Sequence, residues 1–141
     1  MPSIDEKIAR FLASPGFGVV GASTRRAKYG NKVLRCYLQH RRPAVPVHPR
    51  EAAIEGVRCV PSVADLPADV RSLSIITPPA VTEQVVEQAI ARGIESVWMQ
   101  PGAESERAVA RCEAAGVSVI ADGPCLLVVL GYRESWTPDA G

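Results

Sequence analysis

With 141 residues, 47% hydrophobic and 22% charged, the chain is long enough to bury a core of its own as one domain without metal or disulfide help. Its 16 basic and 15 acidic side chains leave a formal charge of +1, which excludes the global positive field that nucleic-acid binders carry. The opening Met1-Pro2-Ser3-Ile4-Asp5-Glu6 is acidic where a secretion signal is basic, and no apolar run reaches membrane-spanning length. The expectation is a soluble, cytoplasmic protein with neither nucleic acid nor membrane among its partners. The four cysteines, Cys36, Cys59, Cys112 and Cys125, stand far apart, form no C-x-x-C, and read as reduced, mostly buried thiols.

Ser3 and Glu6 have the spacing of a capping box, and Ile4, Ile8, Phe11 and Leu12 share one face of the helix it would open. Ser14-Pro15-Gly16 ends that helix, and residues 17–20 form the first strand. Gly16, Gly18 and Gly21 match the spacing of the dinucleotide fingerprint, but Val19 and Val20 lie inside the match. Only Gly21 therefore closes a strand, and what remains of the motif is the turn Gly21-Ala22-Ser23 leading to a helix. Val33, Leu34, Tyr37 and Leu38 place that helix over residues 31–40, with Pro43 beyond its end. Residues 44–50 are the second strand, and Pro46, which has no N–H for a ladder, predicts an edge position. A brief extended piece at residues 56–60 and a one-turn helix capped by Ser62 and Asp65 come next.

The third strand spans residues 73–77 and stops at Pro78-Pro79. Thr82 is the expected N-cap of a helix carrying Val85, Val86, Ala89 and Ile90, closed by Gly93. Residues 96–100 are the fourth strand, residues 105–115 a helix closed by Gly116, and residues 117–121 the fifth strand. Residues 125–130 are an apolar run that should be buried, as helix or strand. One domain over residues 1–131 is expected, with residues 132–141 a flexible tail apart from Trp136. Strands alternating with helices give an α/β fold, a three-layer doubly wound parallel sheet of Rossmann-like type, for which the strand order 3-2-1-4-5 is expected.

Ligands of such sheets bind beyond the carboxyl ends of the strands, where the order reverses. The chain delivers Gly21-Ala22-Ser23, His48-Pro49-Arg50, Thr77-Pro78-Pro79, Gln100-Pro101-Gly102 and Asp122-Gly123-Pro124 to those ends. Proline within two residues of four of the five makes rigid walls poor in N–H groups, suited to gripping a ligand by shape. Arg25, Arg26, Lys28 and Lys32 gather near the first turn, with Arg41, Arg42 and Arg50 beyond. The second strand ends without the acidic residue that holds the ribose hydroxyls of NAD, and Arg50 suits a phosphorylated ribose instead. A 2′-phosphate, as in NADP, and a 3′-phosphate, as in coenzyme A, both remain open.

Val20-Gly21-Ala22-Ser23, Val45-Pro46-Val47-His48-Pro49, Gly56-Val57, Pro61-Ser62, Pro78-Pro79, Val97-Trp98-Met99-Gln100-Pro101-Gly102 and Asp122-Gly123-Pro124-Cys125 resemble the small bacterial CoA-binding proteins. These are in turn similar to the CoA-binding domain of the succinyl-CoA synthetase α subunit. The resemblance runs from about Phe11 to Leu130. It departs at His48, where the family usually has Asn, and at Gly123-Pro124, which lengthens the run from Asp to Cys. It implies coenzyme A held through its ADP moiety. Gly21, Ala22 and Ser23 would meet the pyrophosphate, and Arg25 and Lys28 would lie close to the phosphates. Arg50, beside His48 and Pro49, would meet the 3′-phosphate or adenine edge. Thr77, Pro78 and Pro79 would line the pantetheine arm, and Gln100 and Gly102 would close the far side. Equally, Trp98 and Gln100 could serve the fold alone, and His48 reads as a turn residue rather than a catalyst.

The synthetase chemistry, as the resemblance implies, needs a phosphorylatable histidine in a following domain, and His40 and His48 stand in the wrong context for it. A stand-alone CoA or acyl-CoA binding protein without catalysis of its own is therefore expected. An NADP(H)-binding enzyme, a nucleotide sensor and a ligand-free interaction domain are the alternatives. A homodimer or another protein partner is left open.

Overall fold

The computed structural model describes residues 2–135. A capping box opens α1 (Ile4–Leu12): Ser3 Oγ accepts from the Glu6 N–H at 3.1 Å, and Glu6 Oε1 accepts from the Ser3 N–H at 3.4 Å. The chain then runs through β1 (Gly16–Val20), α2 (Tyr29–Gln39) and β2 (Ala44–Val47). A two-residue hairpin, β3 (Ala53–Ile54) with β4 (Val57–Arg58), and a 3-10 turn at Val63–Asp65 lead to β5 (Val70–Ile75). After it come α3 (Pro79–Arg92), β6 (Ser96–Met99), α4 (Glu106–Ala114), β7 (Ser118–Ile120) and α5 (Leu126–Leu130). Gly16 and Gly18 lie inside β1, so the fingerprint spacing is indeed accidental and Gly21 alone ends the strand.

Five of the strands form one parallel sheet in the order β2-β1-β5-β6-β7. One face is covered by α1, α2 and α5 over Phe11, Phe17, Tyr37, Trp98 and Leu126. The other is covered by α3, α4 and the 3-10 turn over Val63, Leu66, Val86, Val97 and Cys112. The three-layer Rossmann-like class is as expected, but the strand order is not. Counting sheet strands alone, the order is 2-1-3-4-5 rather than 3-2-1-4-5, because β5 pairs with β1 and not with β2.

The cause is the connection from β2 to β5. It carries no full helix, and its Val63 and Leu66 pack into the layer beneath α3, opposite α2. A right-handed crossover on that face must travel back across β1. The reversal therefore falls between β1 and β5, the position of a ligand crevice in this topology.

Three local expectations also change. Thr82 does not cap α3; the helix starts at Pro79, where a missing N–H costs nothing, and Thr82 is buried in its first turn. The apolar run at residues 125–130 is a helix with only Leu126 fully buried, and Val128 is 81% exposed. Residues 132–134, expected in the free tail, lie along α2. There Gln39 accepts the Arg133 N–H at 2.8 Å and donates to the Arg133 carbonyl, and Lys32 pairs with Glu134 at 3.7 Å. Trp136 and the rest of the expected tail lie outside the described residues. Pro46 does sit on an edge strand: β2 is outermost, met on its free side by a short bridge between Val47 and Val60.

Candidate functional site

Gly21 ends β1 with φ +94°, a conformation that L side chains rarely adopt. A Cβ there would lie 2.2 Å from the Ile76 carbonyl oxygen, so the turn is pressed against the chain leaving β5. On its other side stands the first turn of α2, so close that a Cβ on Gly30 would fall 1.9 Å from the Gly21 carbonyl oxygen. Two glycines thus let strand end, neighbouring strand and helix start meet backbone to backbone.

Residues 22–28 arch over this junction and are held from beneath. Asn31, fully buried, donates Nδ2 to the Ser23 carbonyl at 2.9 Å and to Glu55 Oε2 at 3.1 Å. Its Oδ1 accepts from Arg35 Nε at 2.6 Å, and Arg35 Nη2 donates to the Arg26 carbonyl at 2.6 Å. In a trans peptide the carbonyl and the following N–H point opposite ways, and there is no cis bond among the described residues. Drawing the Ser23 and Arg26 carbonyls inward therefore turns the N–H groups of Thr24 and Ala27 outward. Neither finds a partner among the described residues.

Ser23 Oγ accepts from the Arg25 N–H at 3.0 Å, which leaves its own proton free to donate. Lys28 is the N-cap of α2 and offers no side-chain cap, so the helix start keeps its free N–H groups and partial positive charge. The side chains of Arg25 and Lys28 are exposed and unpartnered among the described residues. Outward N–H groups, a helix N-terminus and two free cations form a receptor for a phosphate or diphosphate.

The corrected strand order decides what stands beside this loop. Thr77, Pro78 and Pro79 follow β5, so they flank the loop directly; Thr77 Oγ1 lies 2.8 Å from Thr82 Oγ1. His48, Pro49 and Arg50 follow β2 on the other flank. His48 Nδ1 accepts from the N–H groups of Arg50 and Glu51, both at 3.0 Å, which fixes that turn and places the ring proton on Nε2. Arg50 is exposed with its guanidinium unpartnered among the described residues. Gln100 and Gly102 follow β6, two strands and roughly 10 Å from β1. Gln100 is 1% exposed, its Oε1 accepts from the Leu126 N–H at 3.1 Å, and its Nε2 is buried without a partner among the described residues. Trp98 donates Nε1 to the Pro124 carbonyl at 3.0 Å and stands edge-on to Phe11. Both side chains thus grip the residues leading into α5, and the Gly102 N–H is taken by Glu104.

Burial raises the Cys112 thiol to about 11 and, with the Cys125 thiol nearby, Cys36 to about 12. A groove of about 660 Å³ between α3 and α4, bounded by Glu83, Glu87, Arg107 and Arg111, shares no lining residue with the mouth of the sheet.

Sequence reasoning missed Gly30, Asn31, Arg35 and Glu55 as parts of this site. A signal was present: Asn31, Arg35 and Gln39 repeat at intervals of four, a polar row inside a helix whose other buried side chains are mostly apolar.

A family model described as a CoA binding domain matches residues 16–131. The chain belongs to this family. A conserved hypothetical protein from Pyrococcus furiosus is 40% identical to this CoA-binding domain, with a TM-score of 0.77 over 81% of this chain and 97% of that one. A hypothetical protein from Pyrococcus horikoshii is 27% identical, with a TM-score of 0.83 over 90% of this chain and 89% of that one. Subunit alpha of an ADP-forming acetate–CoA ligase II from Pyrococcus furiosus is 28% identical over 88 residues, or 62% of this chain. The domain spans only 19% of that subunit and 12% of an ADP-forming acetate–CoA ligase from Methanocaldococcus jannaschii, to which it is 26% identical. No helix among the described residues is long and apolar enough to cross a membrane.

Proposed function

We propose that this chain binds coenzyme A, free or acylated, through its ADP moiety and carries out no reaction on it. The reading is carried by the loop at residues 22–28: outward N–H groups beside a helix N-terminus, at the point where the strand order reverses, with backbone approach that only Gly21 and Gly30 permit. The diphosphate would rest on the N–H groups of Thr24 and Ala27 and on the Ser23 hydroxyl, with Arg25 and Lys28 over it. Arg50, on the flank of the second strand, would read the phosphate on the ribose. Thr77, Pro78 and Pro79 would bound the pantetheine arm. An acetyl-CoA synthetase from Korarchaeum, of which this domain spans 27%, is 25% identical to it with a TM-score of 0.72, and this likeness to part of a coenzyme A enzyme supports the choice of ligand.

Binding without turnover is supported by how the candidate groups are spent. His48 uses Nδ1 on two backbone N–H groups, and the Cys36 and Cys112 thiols are buried and held protonated at neutral pH. A thermal-shift series with CoA, NADPH and NADH at equal concentration tests the ligand, because selective binding to the folded state raises the melting temperature by mass action. CoA is expected to give the largest shift. A larger shift with NADPH would replace CoA with a 2′-phosphorylated dinucleotide, and no shift with any of the three would leave an interaction domain.

A further inference from the structure

The polar row Asn31, Arg35 and Gln39 on α2 is buried along its whole length and touches two segments that the chain sets about a hundred residues apart. At one end Asn31 and Arg35 hold the carbonyls of Ser23 and Arg26 in the anion loop. At the other, Gln39 clasps the backbone of Arg133 in both directions. Arg35 serves both: Nη2 goes to the loop, Nη1 donates to the Glu134 carbonyl at 3.4 Å, and the guanidinium lies 5.4 Å from the centre of the Tyr132 ring. Its hydrogen-bond partners are two carbonyls and the Asn31 amide oxygen, none of them a carboxylate.

A guanidinium is a rigid, permanently charged fork, so orienting one nitrogen orients the others. We infer that Arg35 is the positioning residue of the anion loop, and that through it residues 132–134 and the ligand stabilise one another. An anion seated on the Thr24 and Ala27 N–H groups holds the loop carbonyls inward, which fixes Nη2 and with it the partner of Nη1. By linkage, whatever the ligand adds to the docking of residues 132–134, that docking must return as affinity for the ligand. The inference rests on the CoA reading and refines it.

The test measures amide hydrogen exchange across residues 132–134 with and without saturating CoA, alongside CoA affinity by calorimetry. In the wild type, CoA is expected to slow exchange there at least about fivefold. Gln39→Ala loosens the segment roughly 15 Å along the helix axis from Tyr29, and is expected to weaken CoA about fivefold. In an Arg35→Lys background, which keeps the charge and loses the fork, Gln39→Ala should cost nothing further, because the link is already broken. If CoA binds the wild type without altering exchange at residues 132–134, or if Gln39→Ala binds as the wild type does, the inference is overturned while the CoA reading stands. Absence of CoA binding to the wild type overturns both. Should Arg35→Lys not fold, the exchange and Gln39→Ala arms decide.

Discussion

Gly30→Ala is the substitution on which intrinsic preference and the observed packing disagree most. Alanine is the better helix former, by about 1 kcal/mol in a helix interior, so an isolated α2 should gain from the change. In the folded chain the added Cβ would sit 1.9 Å from the Gly21 carbonyl oxygen, 2.8 Å from its carbon and 3.1 Å from Ala22 Cα. Real Cβ contacts essentially never fall below 3.0 Å, so helix and turn must part by about 1.1 Å, and every atom in the way is backbone. Overpacking of this kind costs about 1–3 kcal/mol or more, which outweighs the propensity gain. Less the roughly 1 kcal/mol of helix propensity, the net loss is up to about 2 kcal/mol, which would lower the melting temperature of a domain this size by up to roughly 8 °C.

The same displacement would pull the loop off the N-terminus of α2 and weaken CoA at least about tenfold, since a shift of about 1 Å spoils a preorganised site. Urea unfolding and calorimetry with CoA read the two effects. Gly123→Ala, where an added Cβ meets nothing within 4 Å, is the control expected to change neither. A Gly30→Ala protein as stable as the wild type would refute the close approach itself. Lost stability with undiminished CoA affinity would sever the turn from the binding site.

Arg50→Glu should weaken CoA by about tenfold or more, the scale of one charged hydrogen bond, and desphospho-CoA much less; equal losses would show that Arg50 does not read the extra phosphate. Stability should fall at alkaline pH. Cys36 and Cys112 ionise in the unfolded chain from near 9.0 but hold their protons in the fold to about 12 and about 11. The unfolded state then binds fewer protons, so each thiol contributes a slope of up to about 1.4 kcal/mol per pH unit above its ordinary value. Urea midpoints that stay flat from pH 8 to pH 10 would contradict this. Val128→Ser, at a position 81% exposed, should leave the unfolding free energy from urea within about 0.5 kcal/mol of wild type; a core-sized loss would mean that this face of α5 is covered.

The strands were legible because each is an apolar run bounded by glycine or proline, and the ligand end was legible because the carboxyl ends of parallel strands all lie on one side, where ligands of such sheets bind. The order was not, since an alternation of strands and helices reads the same for 3-2-1-4-5 and 2-1-3-4-5. What separates them is the face on which residues 48–69 travel, set by where Val63 and Leu66 are buried. That the connection lacks a full helix was visible, but its consequence depends on packing. Gly21-Ala22-Ser23 stood out at a strand end. Asn31 and Arg35, which give the loop its shape, did not, because the long polar side chains of a surface helix ordinarily face solvent. Their burial is decided by two carbonyls and by residues 132–134, none of which announces itself locally. Thr82 has the right chemistry for a cap, yet Pro78-Pro79 had already fixed the start of α3.

Pro46 has one more consequence. A border strand with open hydrogen-bonding groups invites foreign chain to add itself, the route by which sheet proteins polymerise. Here the β2 border lacks one N–H at Pro46, whose carbonyl already accepts from the Val60 N–H. At the opposite border β7 is only three residues long, and Lys7 Nζ occupies the Val119 carbonyl at 3.2 Å. Both flanks are therefore poor templates for the addition of a foreign strand.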